Sequence, residues 1–546
     1  MKETEVPPGE EQPAGTGRQR AVMVAMPGLM LAMLLAMLDN MILGTAMPRI
    51  VGELGGLNHL SWVVTAYVLG TTISTPIWGK LGDLYGRKPT FLASIAIFTI
   101  TSALCGMAGI DLLGGPENGM VQLIGFRALQ GLGAGGLMVN AMALIGDLVP
   151  PRERGHYQGI MAAMMSVAMI AGPLLGGFIT DSLDWRWAFF INLPLGVIAF
   201  VIMTITLKLP RVRTKQRIDW FGAALLSVGI TALVLVTTWG GTEYDWGSPT
   251  ILGLLGLSVV TLALFVVVER RTAEPIMPLG LFRNRNFTLI TVIGFLLGFS
   301  MFGAINFLPL YQQTVQGASA TESGLLMLPM MATAMAVSLF VGRAVTKTGR
   351  YKIYPVIGGV VMTVGTFLLS LQTVNTSVWT TGLYVAVLGL GMGFLMQMTM
   401  LIAQNSVDHR YLGVASSTST FFRSIGGSVG VSLFGAIFNS RLADGIAERL
   451  GSSGAHLAEG GARLDPAAVQ ALPPQVRTGF LESLVGALSG VFGWAILFAA
   501  VVPVLAAFVV EVPLRTELGD AKPDGQADGK TDGTGTDPEP AVAAKD

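Results

Sequence analysis

Met33-Leu34-Leu35-Ala36-Met37-Leu38-Asp39-Asn40-Met41-Ile42-Leu43 sets one carboxylate inside an otherwise apolar run. Of the 34 acidic residues, Asp39 is the only one with apolar residues deep on both sides. A charge at that depth in a bilayer costs at least ~2.5 kcal/mol on insertion scales, so an intramembrane Asp marks function by default. A packing role alone is served at lower cost by Ser, Asn or Gln.

The composition makes the bilayer reading general. The 546 residues are 52% hydrophobic and 12% charged, against roughly 25% charged in a soluble domain. Runs long enough to cross about 30 Å of hydrocarbon as helices recur throughout, and no alternating strand pattern supports a membrane barrel. Fourteen spans are expected, near 22–43, 60–78, 91–110, 121–144, 160–180, 187–207, 218–238, 251–268, 287–310, 324–345, 353–371, 380–402, 412–438 and 484–510. With both termini inside, 26 of the 34 Lys and Arg fall on inner segments, as the positive-inside rule requires. The single cysteine, Cys105, and four scattered histidines form neither a disulfide framework nor a metal site. No cofactor is expected beyond a proton gradient.

The inner loops contain a repeat. Gly79-Lys80-Leu81-Gly82-Asp83-Leu84-Tyr85-Gly86-Arg87 recurs as Gly342-Arg343-Ala344-Val345-Thr346-Lys347-Thr348-Gly349-Arg350, and Gly131-Leu132-Gly133-Ala134-Gly135 recurs as Gly389-Leu390-Gly391-Met392-Gly393. The reading is an all-α polytopic protein of two six-helix bundles (21–210 and 271–511) with two helices inserted at 211–270. Residues 1–20 and 512–546 read as disordered cytoplasmic tails, and 439–483 as a long outer loop whose helical pattern extends the flanking spans. In the second copy Thr346 replaces Asp83 and Val385 stands where Arg127 would be. Proton coupling is therefore expected in the first half.

Gly79 to Lys88, with Asp83, Gly86 and Arg87, is similar to the cytoplasmic signature of the major facilitator superfamily. Glycine permits its turn, and its acid can meet the positive end of a nearby helix. Three further stretches resemble the fourteen-span drug/proton antiporter branch: Leu38 to Pro48, Arg127 to Gly135, and Gly172-Pro173-Leu174-Leu175-Gly176-Gly177. Glu274 to Pro278 and Arg283 to Phe287 fit the same branch. The resemblance implies the major facilitator fold, and an antiporter motif at Gly172, Pro173, Gly176 and Gly177. Gly342 to Lys352, with Gly342, Gly349 and Arg350, and Gly79 to Lys88 are expected to act as paired cytoplasmic latches.

Depth ties the two buried charges together. Asp39 lies roughly 7 Å and Arg127 roughly 9 Å from the outer surface at 1.5 Å per residue, so the two are expected to pair, with Asp39 the titrating member. Met33, Met37, Asn140, Asn306, Tyr311, Gln312 and Gln397 are candidate cavity residues, because flexible Met and isolated polar groups suit a roomy, mostly apolar site. Arg423, mid-membrane with no acidic partner, is read as structural, bonded to helix-end carbonyls. The expected function is proton-coupled export of hydrophobic, amphipathic or cationic compounds, drugs and antibiotics among them, across the cytoplasmic membrane. An exporter of a lipid or a secreted metabolite is the alternative. Enzyme chemistry has too few converging acids or histidines, and no phosphate-binding loop supports an ATP-driven pump. A monomer is expected, with small-molecule substrate, protons and the bilayer as partners and no nucleic acid.

Overall fold

The computed structural model describes residues 14–54, 60–111, 115, 118–207, 218–241, 243–272, 274–451, 469 and 472–514. The first half consists of α1 (Ala14–Leu54), α2 (Leu60–Tyr85), α3 (Arg87–Gly106), α4 (Gly119–Leu148), α5 (Pro151–Ser182), and the broken pair α6 (Trp187–Phe190) and α7 (Asn192–Thr206). The inserted helices are α8 (Trp220–Trp239) and α9 (Pro249–Glu269). The second half runs through α10 (Arg285–Thr314), α11 (Ala320–Leu326), α12 (Leu328–Thr348), α13 (Ile353–Ser370), α14 (Val378–Asn405), α15 (Leu412–Leu450) and α16 (Pro474–Ala507).

Helix covers each expected span, and 12 of these stretches are long and apolar enough to cross a membrane. The other two are α2, where Thr65, Thr71, Thr72, Ser74 and Thr75 dilute the apolar run, and α5. The tails need one correction. Helix α1 starts at Ala14, inside the stretch expected to be disordered, because once a helix is nucleated each added residue gains a hydrogen bond. Residues 1–13 and 515–546 lie outside the described residues, as does most of the 439–483 segment beyond the extension of α15 to Leu450.

The repeated glycines have one mechanical purpose. Added Cβ atoms at Gly131 and Gly135 would strike the backbone of α2, and one at Gly133 would strike Phe98 of α3. In the second half, Gly389 and Gly393 press on α12 while Gly391 presses on Met362 of α13. Alternate glycines thus seat α4 between α2 and α3, and α14 between α12 and α13, at distances that only small residues allow. The buried apolar side chains of α10 to α16 form one cluster, and those of α1 to α7 form two. A fourth cluster joins Leu226, Ile230 and Val234 of α8 and Phe265 of α9 to Leu69 of α2 and Phe421 of α15. The inserted pair therefore lies along the seam between the halves.

The halves meet at the end that carries the basic loops. Gln404 Nε2 of α14 donates to the Met142 carbonyl of α4 at 3.2 Å, and a Cβ on Gly79 of α2 would collide with Ser417 of α15.

Candidate functional site

Asp39 and Arg127 are joined. Arg127 Nη1 lies 2.5 Å from Asp39 Oδ2, with side-chain exposures of 0% and 1%. Arg127 Nη1 also donates to Gln130 Oε1 at 2.8 Å, and Arg127 Nη2 reaches Asn40 Oδ1 at 3.5 Å. The second carboxylate oxygen accepts from Gln130 Nε2 at 2.9 Å and from Asn192 Nδ2 at 2.7 Å. Asn192 also donates to Ser102 Oγ at 3.0 Å, and that hydroxyl donates to the Phe189 carbonyl at 2.9 Å. The Arg127 guanidinium sits 4.1 Å from the centre of the Tyr67 ring, whose hydroxyl donates to the Ala36 carbonyl at 3.2 Å.

Residues of α4 and α7 therefore hold the α1 carboxylate directly, and α2 and α3 brace those residues in turn. Such a pair survives in low dielectric only when its remaining hydrogen-bonding capacity is met, and Gln130 and Asn192 meet it. Capacity is left over, however. Arg127 Nε and Asn192 Oδ1 are buried without a hydrogen-bond partner, so the network can accept one further donor or acceptor without dismantling the pair. Sequence reasoning missed Gln130, Asn192, Tyr67 and Ser102. Gln130 could have been found as the residue one turn from Arg127 on the same helix face.

At the basic end, Asp83 accepts from the backbone N–H of Gly413 at 3.2 Å and of Val414 at 2.9 Å, at the start of α15. Arg87 pairs with Asp83 and, at 3.2 Å, with Asp147 of α4. A carboxylate here meets both unsatisfied amides and the positive end of the helix dipole. Gly86 supplies the turn at φ 94°, and Lys88 Nζ donates to the Thr204 carbonyl at 2.7 Å. The second copy has a different local geometry. Arg350 is exposed, Gly349 ends α12 in the left-handed region at φ 70°, and Tyr351 N donates to Glu511 beyond α16 at 2.9 Å. Thr346 stands where the first copy has its carboxylate, and α12, which carries the segment, packs against α5 of the first half.

The antiporter segment lies in continuous helix. A Cβ on Gly172 would overlap Met41, so α1 and α5 approach closely two residues from Asp39, whereas the space around Gly177 is open. Gly176 is buried, and the side chain of Pro173 lies outside the described residues.

The cavity residues divide. Asn140 is not in a cavity: it is fully buried, accepts from Thr90 Oγ1 at 3.2 Å and donates to the Gly136 carbonyl, behind the Asp83 loop. Tyr311 is buried with its hydroxyl on the Thr373 carbonyl, and buried Gln312 accepts from Ser323. Each of the three side chains bonds inside its own bundle, as buried polar groups tend to, though Gln312 Nε2 has no partner among the described residues. Met33 is core, Met37 lies at the core's edge, Asn306 is exposed, and Gln397 is buried on α14. Arg423 departs from its structural reading: among the described residues no carbonyl or acid bonds its guanidinium.

Sequence comparison places this geometry in a family. The Major Facilitator Superfamily profile matches residues 29–431. The chain belongs to that superfamily. It is accordingly a multi-pass membrane transporter. Multidrug transporter protein MdtP of Bacillus subtilis (strain 168) is 38% identical, over 92% of this chain and 95% of its own length. Multidrug resistance protein 3 of the same organism is 35% identical, over 91% and 96%. Among solved structures, the proton:xylose symporter XylE superposes with a TM-score of 0.56 at 16% identity, covering 90% of this chain and 97% of that one. The superposition supports the fold alone.

Proposed function

We propose that this transporter exports hydrophobic and amphipathic compounds, drugs among them, from the cytoplasmic membrane in exchange for protons. Export is supported by full-length similarity to two multidrug transporters. Coupling rests on one observation above all: the lone carboxylate in the apolar spans is paired with a permanent cation and held by side chains of α4 and α7.

Arginine stays charged at any physiological pH, so only Asp39 can carry the proton. With the inner ends joined through Asp83 and Gln404, the buried pair is sealed from that side. A second conformation that opens α1 against α4 wets Asp39 and lets it protonate, which breaks the ion pair and frees the halves to rearrange. Both termini are cytoplasmic on this reading, matching the basic loops.

The test is efflux of ethidium, a lipophilic cation, from everted vesicles under an imposed pH gradient. Asp39→Asn should abolish gradient-driven movement while leaving downhill exchange. Gradient-driven movement equal to that of the unmodified protein removes Asp39 from coupling.

A further inference from the structure

A second charge inside the spans has no counter-ion among the described residues. Arg423 lies 11 residues into α15, about 16 Å from its start at 1.5 Å per residue, which is the middle of the bilayer. Asp39 is the only acid at membrane depth in the chain, and Arg127 already holds it. Among the described residues nothing hydrogen-bonds or ion-pairs with the Arg423 guanidinium.

Its position shows what it faces. No residue of α15 from Leu412 to Ser432 is exposed, and the helix packs against α2, α4, α8, α10, α14 and α16, so most of its surface meets protein. Yet Arg423 is only partly buried, and on this packing we take the space that reaches it to lie between those helices. It shares a helix face with Ser416, seven residues below, which takes a hydrogen bond from Gln404 of α14 at 2.9 Å. Antiparallel register then brings Gln397 of α14 level with it. On α10, Gly298 leaves room for the arginine stem, where a Cβ would lie 3.1 Å from Arg423 Cγ.

An unpaired guanidinium at this depth is costly, and such residues mark substrate pathways. Counting Asp39, Arg127 and Arg423, the interior of the spans carries a net positive charge, which disfavours a cation bound as such. A carboxylate matches the planar guanidinium fork with two parallel hydrogen bonds. We propose that Arg423 is a cargo subsite for a carboxylate, so the exporter takes amphipathic organic acids or zwitterions in preference to simple cations. This rests on the export reading and narrows its substrate class.

Binding and transport test it separately. The full-length purified protein is titrated with dansyl-phenylalanine and with its neutral carboxamide, and everted vesicles are assayed for gradient-driven movement of both. The acid should bind more tightly than the amide. Arg423→Gln should weaken the acid about 10-fold or more and leave the amide within about twofold, while Arg423→Lys restores part of the difference. Equal loss of both probes, or no loss of either, overturns the proposal. So does displacement of both probes alike by chloride, which would make the site one for a small inorganic anion. If the acid binds through Arg423 but neither probe moves under the gradient, the export reading fails and the subsite stands.

Discussion

Neutralising Asp83 should loosen the closed inner end by an amount that the structure lets us work out. In Asp83→Asn, the bonds from Gly413 N (3.2 Å) and Val414 N (2.9 Å) lose their charged acceptor, while Arg87 keeps Asp147 at 3.2 Å and is not stranded. Hydrogen bonds to charged groups contribute ~1.5–3 kcal/mol against ~0.5–1.5 for neutral ones, so the two bonds together weaken by ~2 kcal/mol. At 1.4 kcal/mol per factor of ten, the open fraction rises roughly 30-fold. Gly146→Cys reports it: the position is buried, and a Cβ there would sit 3.4 Å from Leu412, an ordinary contact. Cys105, the only native cysteine, is buried and contributes little background. When opening is fast, alkylation by an impermeant maleimide tracks the open population. The rate should rise roughly 30-fold or until it saturates, and a rate within about twofold of the parent refutes the idea that this carboxylate holds the end shut.

Removing Arg127 alone strands a buried carboxylate, so Arg127→Met should lower stability by ~3–5 kcal/mol. The double variant with Asp39→Asn should recover much of it, as read by thermal unfolding in detergent. Lys80 is buried and pairs with the more exposed Glu274 at 2.6 Å. Glu274→Ala should therefore lower the unfolding temperature more than Lys80→Met, and the reverse order would show the pair to be unimportant. Gly298→Leu forces a side chain into the Arg423 backbone and should cost ~1–3 kcal/mol, whereas Gly253→Leu, at a site with open space, should be silent.

The helical layout was legible because the bilayer permits few solutions: each apolar run had to become helix, and each repeated Gly-rich segment had to bring helices close. Asp39 and Arg127 were legible for the same reason, since two charges at one depth in hydrocarbon have few other partners. The cavity was not. A lone Asn, Tyr or Gln in a span is equally consistent with lining a cleft and with bonding a neighbouring helix, and for Asn140, Tyr311 and Gln312 the second outcome held. Asn192 escaped notice because its partner lies 153 positions away, a separation that one-dimensional spacing does not report.

The inserted pair has a consequence for traffic through the bilayer. Its inner end is tied to the first half through Lys80 and Glu274, its outer end to the second half, where Ser432 Oγ donates to the Thr237 carbonyl at 2.5 Å, and apolar side chains fill the length between. A greasy molecule diffusing in the leaflets finds that doorway boarded up. On the other seam α5 packs directly against α12, so the two sides of this carrier are closed by different means.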